Sequence, residues 1–140
     1  VVCALLALVL TGCAAKVDGL VGLQRVGGHV KAHVQPCPGH EVDTVTLTEV
    51  GGVFHDEWRF DPPTTDAGDI DLGVFDDAVA LLDTGNSFVL EASSSHSSDV
   101  IHGPQFVADE LAALRKGEML TAAGPLDEAG FAEMVASYCG

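Results

Sequence analysis

The chain has 140 residues, room for one domain, and its 47% apolar and 19% charged content is that of a globular protein rather than a disordered one. It carries 21 Asp and Glu against 6 Lys and Arg, a net charge of −15. That balance excludes a phosphate-binding surface for nucleic acid and an electrostatic hold on anionic lipid. It leaves cations, basic proteins and neutral ligands as partners, and it favours a soluble monomer.

Val1 to Leu10 reads VVCALLALVL, an uninterrupted apolar run of ten residues. A bilayer span needs about 20, so the run fits the apolar stretch of a secretory signal instead. No Met and no basic segment precede it, and the start is therefore expected to be truncated. Leu10-Thr11-Gly12-Cys13 then resembles the lipobox of bacterial secreted lipoproteins. The resemblance implies a diacylglycerol on the Cys13 thiol and cleavage just before that residue. Two or more acyl chains, at about 0.8 kcal/mol per buried CH₂, give stable anchoring. The organisation expected is a signal over residues 1–12, a lipidated tether over 13–22 and one β-rich extracytoplasmic domain over 23–140. The membrane is then a partner through the anchor on Cys13.

Downstream the expected elements are mostly strands. His29, Lys31 and His33 alternate with Val30, Ala32 and Val34, the period of a half-buried strand. Pro36-Cys37-Pro38-Gly39 ends it. Residues 42–50 form a second strand, with Val45 and Leu47 opposite Thr44, Thr46 and Thr48. Gly51-Gly52 turns into a third over 53–60, which Pro62-Pro63 stops. Residues 64–77 are irregular and acidic, with a brief edge strand around Ile70 and Leu72. Residues 79–82 read as another short strand. Phe88, Leu90 and Ala92 alternate within a strand over 87–93, and the serine-rich segment 94–98 turns the chain into a partner over 100–107.

The last 35 residues change character. Residues 108–115 read as a short helix, with Asp109 and Glu110 at its start, Arg115 and Lys116 at its end, and Gly117 as a stop. Residues 118–122 form one more strand. Asp127 is placed to cap a final helix, with Leu126 and Phe131 as its hydrophobic staple. Phe131, Met134, Val135 and Tyr138 share one face of it. Many short strands and frequent turns predict a mainly β, α+β fold, an antiparallel β-sandwich with two short C-terminal helices. Pro36-Cys37-Pro38, the stretch FVADELAALRKGEML and the terminal Cys139-Gly140 also resemble small actinobacterial secreted proteins of unknown function. That likeness brings no activity with it.

Given the lipobox, cysteine use follows. Cys3 leaves with the signal and Cys13 takes the lipid, so Cys37 and Cys139 remain and are expected to pair in an oxidising compartment. No CxxC motif favours zinc.

Candidate chemistry is sparse. On a strand His29 and His33 lie about 13 Å apart at roughly 3.3 Å per residue, too far to share one metal. Asp69, Asp71 and Asp76 beside Gly68 and Gly73 are candidate cation ligands, though without the ordered spacing of an EF-hand loop. Serines near His96 and Asp99 evoke a Ser-His-Asp set, but no G-x-S-x-G turn accompanies them. No catalytic residue and no cofactor motif is assigned. The leading expectation is a non-enzymatic binding or structural module of the cell envelope, with an envelope protein or ligand as its partner. The alternatives are a cation- or metal-binding lipoprotein and an extracytoplasmic hydrolase.

Overall fold

Period-two alternation shapes most of the chain into short strands, and their buried faces turn toward one another across a single interior. The computed structural model describes residues 18–98 and 100–140. The expected signal (residues 1–12) and Cys13 lie outside the described residues.

β1 (Gly19–Val26) pairs with β2 (His29–Pro36) through Gly27-Gly28, whose φ angles of 58° and 79° suit a two-residue hairpin turn with both central residues left-handed. β3 (Val42–Glu49) pairs with β4 (His55–Thr64). β5 (Gly68–Val74) returns to the free edge of β2. α1 (Phe75–Leu82) follows it directly. β6 (Phe88–Ser93) joins β3, and β7 (Val100–Phe106) joins β6. α2 (Ala108–Ala112), β8 (Glu118–Thr121), β9 (Gly124–Asp127) and α3 (Glu128–Cys139) complete the order. The strands form two antiparallel sheets, β5-β2-β1-β8-β9 and β4-β3-β6-β7, packed face to face. The sandwich expected from the sequence is the fold observed.

The core lies between the sheets. Val30, Ala32 and Val34 of β2 face Val45 and Leu47 of β3 and Leu90 of β6 across it, all in one apolar cluster. Phe88 is fully buried, with Phe54 and Phe106 at ring-centroid distances of 5.9 and 6.1 Å. β1 is buried on both faces. Val21 and Leu23 enter the central core, while Leu20 turns outward to meet Met119 and Phe131 beneath α3. Asp127 caps α3 by accepting a hydrogen bond from the Gly130 amide at 2.7 Å. At the other end of α3, Cys139 is disulfide-bonded to Cys37, the residue after β2. This is the expected pair, and it ties the last helix to the second strand.

Several expectations fail for identifiable reasons. Residues 19–22, expected to be tether ahead of a fold starting near Leu23, are the first half of strand β1. Their double-sided burial removes the alternation that marks a half-buried strand. Pro62-Pro63 does not end β4, which continues to Thr64. β4 is an edge strand and its register shifts between Val42 and Thr44, where residues without an N–H are tolerated. Residues 79–82 are not a strand but the second half of α1. Phe75, Ala78, Val79 and Leu82 fall at i, i+3, i+4 and i+7, and all four are buried or half-buried. Asp76 and Asp77 occupy its first turn, where acidic residues suit the helix dipole. The helix expected over 108–115 is shorter and ends at Ala112. β9 has no alternation in Gly124-Pro125-Leu126-Asp127 strong enough to reveal it.

Candidate functional site

Polar groups on the outer face of the first sheet are arranged by strand register. Pairing of β2 with β5 sets His33 opposite Asp69 and Lys31 opposite Asp71. His33 Nδ1 lies 2.6 Å from Asp69 Oδ1, and Gln24 Nε2 donates to the same oxygen at 3.1 Å. His29 Nδ1 lies 3.1 Å from Asp71 Oδ1, which also accepts from the Gly73 amide at 2.8 Å. The Gly73 amide first, and His29 second, hold the Asp71 carboxyl below its usual range. Asp76 sits apart, on the exposed first turn of α1. The three candidate cation ligands therefore do not converge. Among the described residues no group of three or more His, Cys, Asp or Glu could hold a metal ion.

His33 and Asp69 also border a hollow of about 770 Å³, together with Gln24, Lys116, Glu118 and Phe131. A His–Asp pair can orient an imidazole. No Ser, Thr or Cys is among the described residues lining this hollow, so no hydroxyl or thiol stands there beside the pair. Gln24, His33 and Asp69 are engaged with one another, and Phe131 is buried against Leu20 and Met119. The other histidines are dispersed. His40 lies 3.5 Å from Asp18, His102 lies 3.3 Å from Glu91, and His55 meets Thr48 at 3.2 Å.

The serine-rich hairpin has a structural explanation. Asp43 is buried beside it and accepts from the Ser95 amide at 3.0 and 3.1 Å, from the Ser95 hydroxyl, and from the Thr44 hydroxyl at 2.7 Å. Burial pushes the Asp43 pKa up, but the bonds from Ser95 and Thr44, with the charge of His96, outweigh it and hold the carboxyl below its usual range. Ser95 donates straight to a carboxylate with no imidazole between them, which is not a triad. Asp99 lies outside the described residues. Glu49 performs a matching task at the opposite end of β3. It accepts from Thr84 Oγ1 at 2.7 Å and from the Val53 amide at 3.0 Å. All buried side-chain polar atoms among the described residues have a partner.

One apolar site remains open. A cleft of about 250 Å³ lies between the edge strands β4 and β5, beneath α1. Its inner surface is core: Leu23, Leu47 and Phe106. Phe54 and Trp58 form the β4 side, Leu72 the β5 side, and Ala78 and Leu81 the α1 side. β4 supplies its ring because Trp58 is paired with Val45, and Asp56 with Leu47, on the face turned to the other sheet. Trp58 is only half-buried, and Leu81 is 59% exposed. The charged residues lining the cleft are two acids, Asp56 and Asp77. The sequence held a trace of this site in Phe54, Asp56, Trp58 and Phe60, an apolar row interrupted by one carboxylate. The α1 side could not be read while residues 79–82 were taken for a strand.

Comparison with models of known protein families, with curated proteins and with solved structures finds no match to this chain. Among the described residues no helix is long and apolar enough to cross a membrane.

Proposed function

We propose that this chain is an extracytoplasmic lipoprotein, anchored to the cell membrane by a lipid on Cys13, and that it is a non-enzymatic binding module. Its ligand site is the cleft beneath α1. The observation that carries this reading is the uncovered apolar surface there, with core residues at its base and Phe54 and Trp58 on its wall. Apolar concavities with few polar groups are the usual form of a small-molecule site. The export half of the proposal is supported by the lipobox-like Leu10-Thr11-Gly12-Cys13 and by a cysteine pair of the kind that persists outside the cytoplasm.

The cleft is small. At about 30 Å³ for a water-sized group it holds roughly eight such groups. An eight-carbon chain gains at most about 6 kcal/mol from burial. Association costs at least about 4 kcal/mol of that, so a Kd of roughly tens of millimolar is expected for a plain alkyl probe. Trp58 is the single tryptophan of the chain and lines the cleft, so its emission reports on this site alone. Titration with n-octanol should shift Trp58 emission progressively up to the solubility limit, and Ala78→Phe, which fills the α1 side, should abolish the shift. An emission spectrum unchanged to the solubility limit overturns the binding site. For the anchor, intact-mass analysis of membrane-extracted protein should find a diacylated Cys13 at the new N-terminus, and Cys13→Ala should leave the protein without lipid.

A further inference from the structure

We infer that the cleft takes a hydrophobic cation: a compact apolar body that ends in an ammonium group. This inference rests on the cleft being a ligand site and adds the charge of what enters it. Asp56 from β4 and Asp77 from α1 both line the cleft, from two different elements, and no Lys, Arg or His is among the described residues that line it. Neither carboxylate makes an ion pair among the described residues. Asp56 Oδ1 accepts only from the neighbouring Glu57 amide, at 2.9 Å. Nearby cations are engaged elsewhere. The Arg25 guanidinium stacks 4.0 Å over the Phe75 ring, and Arg59 bonds Glu57 at 2.6 Å.

Trp58 adds a second preference of the same sign. It stands on the same face of β4 as Asp56, and an indole face attracts an ammonium through its quadrupole. The interior of the cleft is wholly apolar, so the alkyl or aromatic body of the ligand goes inward and its charge stays at the opening. The net charge of −15 acts at longer range, concentrating cations near the surface at low salt. An anionic amphiphile of the same size meets two like charges there and none of opposite sign.

The test compares three probes of equal chain length, n-octylammonium, n-octanol and octanoate, by Trp58 emission. Two carboxylates and one indole at an exposed opening contribute about twofold each, so octylammonium should bind about tenfold tighter than octanol. Octanoate should bind more weakly than octanol, and the preference for the cation should shrink in 1 M salt. The double variant Asp56→Asn, Asp77→Asn should keep only the roughly twofold preference for octylammonium that Trp58 supplies, with the single Asp56→Asn variant intermediate. Both sites are exposed, and melting curves verify that the variants fold. If octanol binds the wild-type protein as tightly as octylammonium, or if the double variant keeps the tenfold preference, the charge inference is overturned while the apolar cleft stands. If none of the three probes shifts Trp58, the cleft itself is not a ligand site and both readings fall.

Discussion

Replacing Cys37 and Cys139 with serine should lower the melting temperature of the protein by about 15–20 °C. The bond links residues 102 apart in sequence. Closing a loop of that length removes unfolded-state entropy worth about 4.7 kcal/mol at 25 °C in the chain-entropy model. Unfolding entropy near the midpoint is about 2.1 cal/mol/K per residue, or roughly 0.25 kcal/mol/K for the about 120 described residues. The quotient is the predicted shift. What stays behind in the variant is modest. α3 keeps its Asp127 cap and the contact of Phe131 with Leu20 and Met119, and the main core between the sheets is untouched. The variant should therefore still fold at 25 °C, with α3 the first element to lose amide-exchange protection. Differential scanning calorimetry of the oxidised protein and the double serine variant measures the shift, and hydrogen exchange locates it. A drop of less than about 5 °C would refute the argument that this link constrains the unfolded chain.

Phe88→Ala should cost about 3–5 kcal/mol in urea unfolding, because its ring is fully buried beside Phe54 and Phe106 and its loss leaves a cavity in the core. Asp43, Glu49 and Asp71 all have folded pKa values below their reference values of 3.8, 4.5 and 3.8. Groups of that sign add stability above the unfolded pKa and lose it as pH falls through the lower folded value. Stability should thus be level near neutrality and fall below about pH 4, and Asp43→Asn should flatten that acid limb in pH-dependent urea titrations. Asp127→Ala removes the N-cap of α3 and should cost about 1 kcal/mol, read as a lower urea midpoint at unchanged slope.

The parts of the fold that could be read from sequence are those buried on one face only. β2 and β6 alternate cleanly, and the sandwich follows from them and from the turns between. The Cys37–Cys139 pair followed from counting, once Cys3 was assigned to the expected signal and Cys13 to the expected lipid anchor. What escaped has a common physical cause. β1 is covered on both faces, so Leu20, Val21 and Leu23 show no period, and its start looked like tether. α1 carries Val79 and two leucines in four residues, which mimics a strand until Phe75 is included in the helical spacing. Asp69 and Asp71 looked like members of a cation loop because sequence places them two apart beside glycines. The register of β5 on β2 instead sets Asp69 opposite His33 and Asp71 opposite Lys31, with His29 bonded to Asp71. The cleft was the least visible feature, because its walls come from β4, β5 and α1, which only the sandwich brings together.

The central claim is that the space beneath α1 is where this protein binds. Its most direct test is a ¹⁵N and methyl NMR titration of the oxidised protein with n-octylammonium. The account predicts shifts that saturate and concentrate on Phe54, Trp58, Leu72, Ala78 and Leu81, leaving His33, Asp69 and Lys116 on the outer face unmoved. Shifts centred on that outer face, or no saturable shift anywhere, would contradict it.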